Sequence, residues 1–562
     1  MVKKVLRFTL FTVLILTAGT AFGLWVANER SERNSMLSRI ERKASAYLRS
    51  AVATEAPTDS EIVTNRLTLK KRVFNMPLSV TDSGGGIAPA PDGGVLILDR
   101  MGNAFHHIDG QTNALNIATP DNGLDDLIRQ HSEGALGDKS LRTRGFRFND
   151  LLAIEREETV ELFISYSDWV PEQLCYRSIL SHVSLPGNVD VADWTVADSD
   201  WQPLKITDPC LPPLSVGGVA IQGIEAGGRL LPGAADEVLW SVGAYEHDDG
   251  FKETGIEPYA QREQSDYGRL FEINYLTGET TVLARGLRNP QGLTKSRDGR
   301  IWVTDHGMRG GDELNFIDTD QPEYNFGWPY VSYGTHYNGK PVDVSGRHAG
   351  HQGYDEPVVS FVPSVAPGAA LHIEGFHPDW DGDTIVGAFL GTLERVHEVD
   401  GRAAYVEPIS TGVRTRDMAR TRSGEIVIWT DNLQLIFLTP STVPSASDRI
   451  FASIDKLTGS SDRAAVTDIV NSCLQCHGLS DGEVLAGPSL HGICGERMGS
   501  APEYEQYSEA LTSIGQTWTS ELLAQFIENP ESVVSGTTMA WAGTQDGKAA
   551  AQVAELICSN AS

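Results

Sequence analysis

Two cysteines and a histidine carry the sharpest chemical signal in the chain. In Cys473-Leu474-Gln475-Cys476-His477 the thiols stand at i and i+3. That spacing lets both reach the vinyl groups of one haem while the next residue offers an imidazole to its iron. A redox dithiol or half of a zinc site is the other reading of Cys-x-x-Cys, and no second such pair is present to complete a zinc site. Six cysteines in 562 residues are too few for a disulfide scaffold. The other four, Cys175, Cys210, Cys494 and Cys558, permit two disulfides, Cys175–Cys210 and Cys494–Cys558, in an oxidising compartment.

A chain of this length needs more than one core. From 66 to 439 short apolar runs alternate with period two, broken by Gly, Asp, Asn and Pro clusters. APAPDGGVLILDRMGNAFHHIDG (88–110), GLTKSRDGRIWVTDHG (292–307) and DMARTRSGEIVIWTDNLQLIFL (417–438) are weak repeats of strand, turn and strand, and 228–244 and 382–396 add two more. About six such units fit the span. The predicted fold class is therefore mainly β: a six-bladed β-propeller over 66–439, with ligand chemistry at the channel mouth, followed by a small all-α domain. A pair of β-sandwiches is the alternative. Residues 440–464, rich in Ser, Thr and Asp, read as a linker, and 465–562 as the helical domain that carries the Cys-x-x-Cys-His motif.

At the other end, Lys3, Lys4 and Arg7 precede an apolar run from Phe8 to Ala27. About 20 apolar residues suffice to span a bilayer. A signal peptide is the competitor, with Ala18, Gly19 and Ala21 as cleavage determinants. The run continues through Leu24, Trp25 and Val26, which favours an uncleaved membrane helix over 1–27. Residues 28–65 then read as a charged helical stalk and linker. The net charge of −30 excludes nucleic acid as a natural partner. Residues 461–562 hold three basic against thirteen acidic side chains, so an electron partner of this end presents a basic or neutral patch.

The tail resembles class I cytochromes c. Ala486-Gly487-Pro488-Ser489-Leu490-His491-Gly492 is similar to that family's Gly-Pro-x-Leu-His-Gly segment, in which the Pro carbonyl orients the proximal histidine. Gly536-Thr537-Thr538-Met539 resembles the loop bearing the axial methionine. The resemblance implies one covalent haem c on Cys473 and Cys476, with iron held by His477 and Met539. Met498, in Gly-Glu-Arg-Met-Gly-Ser, is the rival sulfur, on what the family has as a surface loop. His/Met ligation raises the haem potential and suits an acceptor of electrons.

Across most of 75–440 the chain resembles the pyrroloquinoline quinone (PQQ) sugar dehydrogenases of the glucose/sorbosone and aldose sugar dehydrogenase family. Gly286-Leu287-Arg288-Asn289-Pro290-Gln291-Gly292-Leu293, Asp305-His306-Gly307-Met308-Arg309-Gly310-Gly311-Asp312-Glu313-Leu314-Asn315, Asn325-Phe326-Gly327-Trp328-Pro329 and Pro363-Ser364-Val365-Ala366-Pro367-Gly368 match its motifs in order. PQQ is a flat tricarboxylate and needs fixed guanidinium groups. The resemblance assigns these to Arg288, Arg414 and Arg416, with Asn289 beside them. Arg414 and Arg416, at i and i+2 of a strand, share a face; two solvated arginines near a turn is the blander reading. By resemblance the carbonyls of Gly307 and Met308 hold a calcium ion that polarises the quinone.

Three positions depart from the family pattern. Glu225 stands where the general-base histidine is expected, Phe148 near a glutamine that contacts cofactor and sugar, and Leu390 near a cofactor-contacting lysine. Glu225 as the base, or as a surface glutamate of a degenerate site, both remain open. The implied function is oxidation of a sugar or other alcohol by hydride transfer to PQQ. Single electrons would then pass to the chain's own haem and on to a respiratory cytochrome or oxidase, on the periplasmic side of a bacterial inner membrane. If the signal is cleaved, the protein is free in the periplasm. A cofactor-degenerate binding propeller and a calcium-dependent lactonase are the alternatives.

Overall fold

The computed structural model describes residues 57–76, 84–137, 143–214, 223–247, 257–319, 323–342, 350–441, 446–457 and 460–559. The expected membrane helix of 1–27 and the stalk up to residue 56 lie outside them. Among the described residues no helix is long and apolar enough to cross a membrane. The chain divides into two compact units, the first built mainly of 73–375 and 382–437 and the second mainly of 438–562.

Six sheets form the blades of a β-propeller. Their innermost strands are Gly86–Pro89, Phe148–Glu155, Gly227–Pro232, Pro290–Lys295, Pro367–His372 and Thr415–Arg420. Each inner strand packs on the next and the sixth packs on the first, which closes the ring. The sixth sheet runs Thr58–Val63, Thr68–Asn75, Gln434–Pro440, Ile426–Thr430, Thr415–Arg420, so strands from both ends of the repeat region share one blade. Second strands such as Val95–Leu98 and Ile426–Thr430 are buried along their whole length, because blades face them on both sides. Asp109-Gly110 and Asp400-Gly401 turn the outer hairpins with positive φ at both residues. That is the conformation a two-residue hairpin demands and an Asp-Gly pair tolerates.

In the helical unit, Thr519 caps helix Ser520–Glu528 by accepting from the Leu522 N–H at 3.2 Å. Leu523, Phe526 and Ile527, spaced i, i+3, i+4, bury one face of it. They join Val466, Ile469 and Val470 of helix Ser460–Leu474 and Val553, Ala554 and Ile557 of helix Gly547–Ser559. The stretch read as linker differs from expectation. Ala446–Ile454 is helical and sends Ile450 and Ile454 into the same core. Its Ser and Asp residues masked an apolar i, i+4 pair. Cys175–Cys210 and Cys494–Cys558 are both disulfide-bonded, with Cα atoms 5.6 and 5.3 Å apart.

Candidate functional site

The first residues of the inner strands converge at one end of the channel. The later residues of the same strands line a largely apolar cavity of about 450 Å³ at the other. Between the two, at the inner end of the cavity, lies Arg229, buried. Its Nη1 pairs with Asp150 (3.0 Å) and Asp417 (2.9 Å), its Nε donates to Gln291 O (2.9 Å), and its Nη2 donates to Gly368 O (3.2 Å) and Arg416 O (3.0 Å). Asp417 in turn accepts from Ile87 N at 2.7 Å. One guanidinium thus ties residues from all six inner strands.

Above that plug the structure gathers the arginines picked out in sequence. Arg416, buried, is bidentate on Asp431 (Nε to Oδ1 2.9 Å, Nη2 to Oδ2 3.2 Å) and reaches Gln291 Oε1 at 3.1 Å. Arg414, half-exposed, donates to Asp431 Oδ2 at 3.0 Å. Both guanidinium groups lie over the Phe389 ring, 4.3 and 4.7 Å from its centre. Burial would raise the Asp431 carboxyl, but Arg416 and Arg414 outweigh it and hold it below its ordinary value. Arg147 adds a buried cation that donates to Asn149 Oδ1 at 3.1 Å. Burial, then the like charges of Arg416 and Arg229, push it down to about 9. Crowded guanidinium groups of this kind are relieved by an anion, so the residues present fit a polycarboxylate.

Arg288 and Glu225, distant in sequence, come together as a buried ion pair. Arg288 Nη1 also donates to the carbonyls of His306 (3.1 Å) and Gly307 (2.9 Å), and the guanidinium lies 5.3 Å from the Trp328 ring centre. Glu225 is in the left-handed region, φ +61°, and its Oε2 accepts from Glu246 N at 3.1 Å. Its carboxylate therefore faces into the protein. Asn289 Oδ1 accepts from Gly227 N (3.3 Å) and Gln291 Nε2 (3.2 Å). His306 is half-buried beside Phe389, ring centres 5.5 Å apart, and its Nε2, itself out of solvent, has no hydrogen-bond partner. Burial and then Arg288 push it down to about 3, so the ring is neutral. Met308 is packed near Ala244, Ala260 and Trp328.

The three departures also find their places. Glu225 is in the cluster. Phe148 is buried against Tyr166, ring centres 5.1 Å apart, and Leu390 is 67% exposed. Sequence reasoning did not single out Arg147, Gln291, Phe389 and Asp431. Gln291 stood in a quoted motif, and Asp431 was legible as the hairpin partner of Arg414, whose carbonyl accepts the Asp431 N–H at 3.0 Å. Phe389 left no signal. Its ring packs where a Cβ on Gly368 would stand.

In the helical unit His477 Nδ1 hydrogen-bonds the Pro488 carbonyl at 2.8 Å, leaving Nε2 for a metal. A side chain at Gly487 would collide with that imidazole. Cys476 is exposed and Cys473 half-buried, and they are not joined to each other. Met539 packs partly buried at the edge of the core, whereas Met498 is buried within it at 1% exposure. The donor set thus fits a haem c on His477, with Met539 the second ligand that the motif implies and Met498 the rival sulfur in the core.

Fold and sites together define a class: a β-propeller with an electropositive axial pocket, in one chain with a haem c type helical unit. Residues 222–437 match the Glucose / Sorbosone dehydrogenase family. Aldose sugar dehydrogenase YliI of Escherichia coli is 30% identical over 177 residues, 30% of this chain and 46% of that protein. The chain spans less than half the length of the first propeller relatives it matches in sequence. The solved soluble aldose sugar dehydrogenase of Escherichia coli superposes with a TM-score of 0.50 at 19% identity, covering 69% of this chain and all of that one, which shows the shared propeller fold. Cytochrome c type-1 of Ascaris suum is 40% identical over 85 residues, 15% of this chain and 72% of that protein. The chain joins a glucose/sorbosone dehydrogenase type propeller to a region that belongs to the class I cytochrome c family.

Proposed function

We propose that this protein is a quinohaemoprotein dehydrogenase that oxidises a sugar or other alcohol and passes the electrons through its own haem to a respiratory acceptor. The observation that carries the reading is the arginine cluster of Arg147, Arg288, Arg414 and Arg416 at one end of the propeller axis, in a chain whose His477 is already oriented for iron. When bound, PQQ supplies a two-electron hydride acceptor, and haem c a one-electron carrier. Arg414 and Arg416, braced by Asp431 and Phe389, hold carboxylates of the cofactor, and Arg288 holds a further oxygen. Glu225, paired with Arg288, keeps lone pairs beyond those engaged and takes the hydroxyl proton as hydride leaves the same carbon. The product is a lactone, aldehyde or ketone. Tethering within one chain gives the haem a high effective concentration as acceptor. Two disulfides and a haem c attachment motif support a periplasmic location, with 1–27 as an anchor or, if that segment is cleaved, the protein free there.

The buried Phe148 and exposed Leu390 favour a second reading, a propeller that has lost catalysis and carries the haem unit to a partner. Both are tested by adding PQQ to the purified haem-loaded protein and screening sugars and alcohols while haem reduction is followed optically. Reduction that needs both quinone and substrate supports the dehydrogenase. No reduction with any of them, with PQQ bound or not, leaves the carrier.

A further inference from the structure

We propose that this pocket binds PQQ without calcium, the Arg288 guanidinium occupying one of the two carbonyls to which the family resemblance assigns the metal. The inference rests on the PQQ reading above. Calcium takes six to eight oxygens at about 2.3–2.6 Å. Of the two carbonyls expected to hold it, that of Gly307 accepts from Arg288 Nη1 at 2.9 Å, and the neighbouring His306 carbonyl accepts from the same nitrogen. A divalent ion on the Gly307 oxygen would sit against a buried guanidinium of the same sign.

Arg288 is held there from several sides. Its Nη2 pairs with Glu225, its backbone N–H donates to Asp305 Oδ2 at 2.7 Å, and Trp328 lies against the guanidinium. Two of the carboxylates beside it, Asp305 and Asp312, are committed to shaping the loop. Asp305 accepts from the N–H groups of Arg288 and Asn289. Asp312 accepts from Gly307 N (2.8 Å) through Oδ1 and from Val365 N (2.8 Å) and Ala366 N (2.7 Å) through Oδ2.

Glu225 explains the exchange. A neutral imidazole at that position would form no ion pair with the guanidinium, whereas the Glu225 carboxylate pairs with it directly while it rests on the loop carbonyls. The residue that looks like a lost histidine therefore anchors a permanent cation where a metal would otherwise supply positive charge. Guanidinium N–H groups bind a carboxylate or quinone oxygen by charge-assisted hydrogen bonds.

The test is PQQ binding, measured by calorimetry on the haem-loaded full chain after calcium is stripped, in excess EGTA and again with millimolar calcium. The expected Kd differs less than threefold between the two. Affinity that appears only with calcium, or improves threefold or more with it, overturns the inference and leaves the PQQ reading standing. Binding in neither condition overturns the PQQ reading itself and this inference with it. As a second arm, Arg288→Gln should weaken PQQ binding in EGTA at least tenfold while the thermal melt of the propeller stays cooperative. Unchanged affinity in that variant would show that the guanidinium does not serve as the cation.

Discussion

At the scale of single residues, the candidate chemistry turns on three side chains. Glu225→Gln keeps size and hydrogen bonding but removes basicity, so quinone reduction should slow by about 10²–10⁴. A stopped-flow trace at the wild-type rate would remove Glu225 as the base. Arg416→Ala loses a charge-assisted contact of about 1.5–3 kcal/mol and leaves Asp431 with Arg414 alone, so PQQ affinity should fall at least tenfold by calorimetry. Met539→Ala should abolish the Met–Fe charge-transfer band and lower the haem potential, because a soft thioether stabilises the reduced iron. An unchanged band would move the axial ligand to Met498 or elsewhere.

At the scale of elements, the inner strands matter more than any blade as a whole. Arg229 bonds to Asp150, Gln291, Gly368, Arg416 and Asp417, and through Asp417 its network reaches Ile87. It also sits directly beneath Gln291 and Arg416, whose side chains meet above it. Arg229→Met would leave two buried carboxylates side by side with no cation between them, and breaking a buried pair in this way costs about 3–5 kcal/mol. Urea melts of the propeller should show that loss; a midpoint unchanged from wild type would mean the carboxylates find another partner. The strands themselves were readable, since period-two alternation and Asp-Gly turns are local properties of the chain. The helix Ala446–Ile454 was not, because one apolar pair among Ser and Asp residues acquires meaning only when a core forms beside it.

At the scale of the whole molecule, an acidic cytochrome c-like end contrasts with an electropositive axial pocket. With three basic against thirteen acidic residues in 461–562, transfer to a basic acceptor protein should slow as ionic strength rises. Equal rates at 20 and about 300 mM salt would argue against electrostatic docking. By itself the sequence determined whatever is written in short contiguous stretches: the Cys-x-x-Cys-His motif, its Gly-Pro and Met loops, the repeating strands and the Arg-x-Arg pair. Local spacing and local propensity suffice for these. Only the tertiary structure decided which distant residues share a site. Glu225 met Arg288 across 63 positions, and Asp150, Arg229 and Asp417 met on one axis. Ring closure brings together the starts of six strands, and no local pattern records which side chains will face one another there.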